Sequence, residues 1–85
     1  MAYTQPIFVA GARYRAKLTF TSGPASTFYA GEILVFKRDT YSPYDDSFVY
    51  IFLSERDGQT KEWWLLDGEP IDKWHQFFDP WPLAS

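Results

Sequence analysis

The sequence predicts a mainly β domain: a small barrel of about five antiparallel strands with a short C-terminal helix. Three observations carry this. Runs of alternating or continuous apolar residues four to ten long are separated by turn chemistry. The pair Asp57-Gly58 sits between two such runs as a hairpin signal. Helical spacing of apolar residues appears only after Pro70. The chain has 85 residues, which fits one domain, 1–85, of a size that buries roughly 60–65% of its unfolded surface.

From the N-terminus, Ile7 to Ala12 is a short apolar run that reads as a first strand. In "RYRAKLTF", Tyr14, Ala16, Leu18 and Phe20 alternate with Arg13, Arg15, Lys17 and Thr19, the pattern of a half-buried strand. "TSGPAST", 21–27, has the Ser, Gly and Pro content of a loop. "FYAGEILVFKR" follows, with Gly31 as a bend and Ile33 to Phe36 apolar on both faces. "DTYSPYDDS", 39–47, reads as a polar and aromatic loop, and "FVYIFLSE", 48–55, as a second strand covered twice.

A two-residue Asp57-Gly58 loop pairs Phe52 with Trp63 and Ile51 with Trp64; a four-residue loop shifts the partners but keeps the faces. One hairpin face then holds Phe48, Tyr50, Phe52, Trp63 and Leu65, and the other Val49, Ile51, Leu53, Trp64 and Leu66. The aliphatic face joins Tyr14, Leu18 and Phe20 in a consistent interior, which puts Trp64 inside or at the rim and the aromatic face with Trp63 outside, either covered by the C-terminal helix and the "PWP" tail or partly open as a groove for a partner. After Pro70, Ile71, Trp74 and Phe78 recur at helical spacing, with Phe77 beside them. This predicts a helix over about 70–78, ended by Asp79-Pro80.

Composition bounds the function. Eighteen residues are aromatic (8 Phe, 6 Tyr, 4 Trp), more ring surface than one small core readily hides, and exposed aromatic patches mark interaction sites. The partner-binding candidates are Tyr41, Tyr44, Tyr50 and Trp63. The expected activity is non-enzymatic, a protein-interaction or regulatory module that binds a protein or peptide, or a second copy of itself. Tyr41, Pro43 and Tyr44 beside Asp45 and Asp46 also have the composition of a cage for a cationic side chain, although packing on the barrel mouth is the simpler role.

Charge is uneven. Residues 1–38 carry five basic and one acidic side chain (+4), and 39–85 carry three basic and ten acidic (−7). Arg13, Arg15 and Lys17 along one strand face make an accessory nucleic-acid surface the alternative reading, opposed by the acidic pI of about 4.9. No cofactor, metal site or catalytic residue is expected. The chain has no cysteine and one histidine, His75, which leaves no zinc ligand set. Asp45-Asp46 in a Pro-containing loop suits turn capping, and no Gly-rich phosphate loop is present. Without cysteine, a signal-peptide pattern or an apolar run near the ~18 residues of a membrane span, the expectation is a cytoplasmic protein with no membrane partner.

"YRAKLTF", a loop, "FYAGEILVF" and then "EWWLL" resemble the opening strands and tryptophan pair of SH3 domains, and the whole is similar to the small uncharacterised bacterial SH3-like domains. The resemblance implies an SH3-like barrel and places Trp63 where that family's first tryptophan lines a groove for proline-rich peptides. The segment "YSPYDDSFVYIFLSERDG" adds a strand before the pair, and "TSGPAST" lacks the acidic residues of the family's long loop. The barrel is therefore carried over, and the peptide specificity is not.

Overall fold

A computed structural model describes residues 7–23, 26–66 and 68–82. The chain is mainly β. Its strands are β1 (Arg13–Ala16), β2 (Phe20–Ser22), β3 (Ser26–Phe28), β4 (Ile33–Ser42), β5 (Ser47–Ser54), β6 (Thr60–Leu66) and β7 (Phe78–Trp81), with a 3-10 helix (Ile71–Gln76) before β7. An antiparallel five-stranded sheet has the order β6-β5-β4-β1-β7, and β2-β3 forms a separate two-stranded sheet. Among the described residues no helix is long and apolar enough to cross a membrane.

Two of the predicted loops are shorter than expected. Residues 39–42 continue β4, and the turn is confined to 43–46, where Asp46 adopts φ 50°. The Ser42 hydroxyl donates to Asp45 Oδ2 (2.9 Å) and the Ser47 hydroxyl to the Asp45 carbonyl (2.9 Å), so short polar side chains hold the reversal. "TSGPAST" is mostly the β2–β3 hairpin; Pro24 and Ala25 lie outside the described residues. The β5–β6 turn spans 55–58, the four-residue form. Gly58 at φ 72° donates its N–H to the Ser54 carbonyl, and Asp57 Oδ1 accepts from the Gln59 N–H. Tyr50 consequently pairs with Trp63, Val49 with Trp64, and Ile51 with Glu62.

The opposition of odd and even positions holds, but the inside assignment is reversed. Tyr50, Phe52, Trp63 and Leu65 are buried in the core with Tyr14, Leu34 and Phe36, whereas Ile51, Leu53 and Trp64 keep part of their surface exposed and Leu66 is 56% exposed. Val49 is buried although it lies on the outer face. The cause lies outside the hairpin. Ile7 to Ala12 is not a strand; it is a turn around Gly11 (φ 84°) that inserts Phe8 into the aromatic face. The Phe8 ring centroid lies between 4.9 and 6.0 Å from those of Tyr14, Phe36, Tyr50, Phe52, Trp63 and Phe78. The Val9 N–H donates to the Tyr14 hydroxyl and the Gly11 N–H to the Phe36 carbonyl, which fixes the plug.

From the other end, β6 and β7 occupy opposite edges of the sheet, so residues 68–77 cross its aromatic side. Trp74 and Phe77 pack against the core there, and Phe78 is fully buried, stacked on Phe52 at 5.2 Å. One aromatic core results. Leu18, expected inside, follows the end of β1 and is 42% exposed. The predicted helix is a 3-10 turn that stops at Gln76, because Phe78 to Trp81 are taken up in pairing with β1. Pro80 is tolerated in that strand because β7 is an edge. The predicted stripe loses Phe78 to the strand, and the side chain of Ile71 lies outside the described residues.

Candidate functional site

The four candidate partner-binding residues do not form one exposed patch. Tyr50 is fully buried and Trp63 is 3% exposed, so both are core residues and not the partner-binding residues expected; of the two alternatives for the aromatic face the covered one holds, with the Phe77 ring 5.9 Å from that of Trp63. Burial, with the Asp39 carboxylate adding to it, pushes the Tyr50 hydroxyl up to about 12. Tyr41 is half-buried, its ring 5.1 Å from that of Phe48. Tyr44, at the tip of the β4–β5 hairpin, is 97% exposed.

The basic candidates are exposed, and each has an intramolecular partner. Arg13 Nε lies 2.7 Å from Glu55 Oε2, the Arg15 guanidinium sits 5.3 Å from the centre of the Trp81 ring, and Lys17 Nζ donates to the His75 carbonyl and lies 3.9 Å from Asp79. The His75 ring stacks on Trp74 with centroids 3.9 Å apart. No cluster of metal-ligating side chains occurs among the described residues.

A buried charge cluster was missed in the sequence. Residues 29–32 form a turn in which the Glu32 N–H donates to the Tyr29 carbonyl and Gly31 takes φ 86°, the signature of a type II turn. The Glu32 side chain folds back over it. Oε1 accepts from the Tyr29 N–H (3.0 Å) and from Lys61 Nζ (2.9 Å), and Oε2 accepts from Lys61 Nζ (2.7 Å) and from the Ser54 hydroxyl. Burial alone would push the Glu32 carboxyl up, but the hydrogen bonds from Lys61, Ser54 and Tyr29 outweigh it and hold the group below its ordinary value. Lys61 shares strand parity with Trp63 and Leu65, so its ammonium requires a buried counter-charge only once that face is the core, whereas the sequence reading turned it outward.

Beside this cluster a cleft of about 600 Å³ is lined by residues that include Thr19, Tyr29, Gly31, Ile33 and Arg56. The Arg56 guanidinium lies 4.4 Å from the centre of the Tyr29 ring, and Lys61 Nζ lies 4.9 Å from it. Glu32 also borders the cleft, but its acceptor positions are taken by Lys61, Ser54 and Tyr29. It staples the turn, β5 and β6 together and has no spare lone pair to serve as a base.

The outer face of the five-stranded sheet is the second candidate. Register places Thr60, Leu53, Val35, Arg13 and Trp81 in one row across all five strands. Glu62, Ile51 and Arg38 form the next, and Trp64, Val49 and Thr40 the one after, because a bulge between Phe36 and Arg38 resets the β4 alternation. The Trp64 indole donates to Glu62 Oε1 (3.1 Å) and lies against Gly23 of the β2–β3 hairpin, where an added Cβ would come within 2.5 Å of its ring nitrogen.

The edge of β6 is closed. Its outward N–H groups at Glu62, Trp64 and Leu66 donate to Ser26 Oγ (3.0 Å), Ser22 Oγ (2.8 Å) and Glu69 Oε1 (2.8 Å). The β7 edge carries Pro80, which has no N–H to offer. The rims are thus poor templates for a further strand, while the outer face keeps apolar surface exposed. No family model, curated protein or solved structure matches the chain.

Proposed function

We propose that the chain is a non-enzymatic protein-interaction module, and that its docking surface is the outer face of the five-stranded sheet rather than the aromatic face. The observation that carries this reading is the row structure of that face. Half-buried Val35, Ile51, Leu53 and Trp64, with Leu66 56% exposed, form an apolar centre flanked by Arg38, Glu62 and Arg13, the arrangement of an apolar patch within a polar rim. We further read the two sheets as a partly open, SH3-like small barrel, supported by the serine hydroxyls of β2 and β3 that meet the β6 edge. The occupant is a protein with a matching apolar surface, since blocked edges disfavour strand addition.

Affinity capture with the wild-type chain, Leu53→Asp and Arg56→Ala tests the reading. A partner retained by the wild type and by Arg56→Ala, which alters the cleft, and lost with Leu53→Asp is the expected result. Equal retention by Leu53→Asp in a folded state, shown by circular dichroism, removes the outer face as the docking surface.

A further inference from the structure

We infer that the outer face is self-complementary and that its partner is a second copy of this chain, an inference that rests on the docking surface proposed above. The carrying observation is the row Glu62, Ile51, Arg38. Ile51 pairs with Glu62 on one side and with Arg38 on the other, so the two charges stand one strand to either side of β5. Among the described residues Arg38 has no ion-pair partner, and the Glu62 carboxylate accepts from the Trp64 indole N–H and has no ion-pair partner.

A two-fold axis lying between two such faces and running along β5 carries a position on one side of β5 over to the opposite side in the facing copy. Ile51 then meets the partner's Ile51, and Leu53 the partner's Leu53. Glu62 faces the partner's Arg38 while Arg38 faces the partner's Glu62. Closed isologous symmetry requires each contact to occur twice, and this row supplies the pair in both directions. A face rotated end over end, or a copy slipped sideways by two strands, loses the match.

The size is adequate. The five strands hold 7, 8, 10, 4 and 4 residues in sheet order; at about 4.8 Å between strands and about 3.4 Å per residue the face is on the order of 500–550 Å², so two copies bury about 1,000–1,100 Å² together, at the lower bound of a specific interface. Sheets stacked in this way pack about 10 Å apart with their strands nearly aligned, a spacing that half-buried Ile51 and Leu53 can fill at the centre.

Sedimentation equilibrium across a concentration series tests this. The wild type is expected to dimerise, with Ile51→Asp monomeric because two carboxylates would meet on the axis. Glu62→Arg is expected to weaken the dimer about tenfold, two lost pairs each contributing modestly. The combination Glu62→Arg with Arg38→Glu is expected to restore it. Both charge positions are on the sheet surface, so they test the pairing even where Ile51→Asp does not fold. A wild type that stays monomeric to about 1 mM, or a dimer indifferent to all three variants, overturns the inference. If the chain is monomeric yet captures another protein through Leu53, self-pairing fails and the docking surface stands. If neither occurs, both fall.

Discussion

Lys61 Nζ lies 2.7 Å from Glu32 Oε2, across a separation of 29 residues, and the two side chains are nearly or completely withdrawn from water. Such a pair is weak as a net source of stability and strong as a constraint. Removing one member leaves a buried charge with no counter-charge, whereas replacing both is far less harmful.

Lys61→Met should therefore lower stability by about 3–5 kcal/mol, a large share of the roughly 4–13 kcal/mol available to a chain of this length. Glu32→Gln combined with Lys61→Met should recover most of that loss, because the glutamine oxygen still accepts from the Tyr29 N–H. Urea unfolding of the two single variants and the double variant gives the coupling energy, and additive losses would contradict it.

The same carboxylate contributes to stability against acid. Its folded-state value is depressed, so its contribution is full above the ordinary carboxyl range and is lost as pH falls toward the depressed value. Ser54→Ala removes one of the hydrogen bonds that lower it and should move the acid-unfolding midpoint to higher pH. A circular dichroism titration of the variant beside the wild type reads the shift, and an unchanged midpoint would show that Ser54 does not tune Glu32.

Tyr50 contributes at alkaline pH, with the opposite sign. Its hydroxyl is raised to about 12 from an ordinary value of 10.0, so the folded state holds the proton more tightly. The contribution is intact below pH 10 and declines as pH rises from there toward 12, by about 2–3 kcal/mol in total. Tyr50→Phe should flatten the stability curve across that window, whatever its effect at neutral pH. Denaturant unfolding at several alkaline pH values measures the slope.

Phe8→Ala empties the middle of the aromatic core and should cost about 3–5 kcal/mol. Gly23→Ala and Gly58→Ala separate a backbone effect from a packing effect. Both positions have positive φ, 64° and 72°, but a Cβ at Gly58 meets open space while one at Gly23 strikes the Trp64 ring. Each change should cost on the order of 1 kcal/mol for the left-handed backbone. Only Gly23→Ala should add a further loss and alter tryptophan fluorescence.

Much of this was legible in the chain. Alternation in "RYRA" and the apolar runs "ILVF" and "FVYIFL" marked β1, β4 and β5, and Asp57-Gly58 marked the reversal. Period two fixed which residues share a face, yet it was silent on which face is inside, because β5 is apolar on both. That choice depends on Phe8 and Phe78, which reach the aromatic side from segments distant in sequence. The helical spacing of Ile71, Trp74 and Phe78 was overridden when β1 recruited Phe78 into a strand. Glu32 carried no local sign of burial, since its counter-ion comes from another strand, and Lys61 becomes a clue only after the Trp63 face is known to be the core.

The serine contacts along β6 bear on how the protein survives at high concentration. Three backbone donors in a row beside "EWWLL" would make a nucleus for fibril growth, each added molecule offering the same rim to the next. Ser22, Ser26 and Glu69 occupy those donors within the molecule itself, so the β2–β3 hairpin and Glu69 together shield this rim from strand addition, the hairpin while also resting on the Trp64 ring.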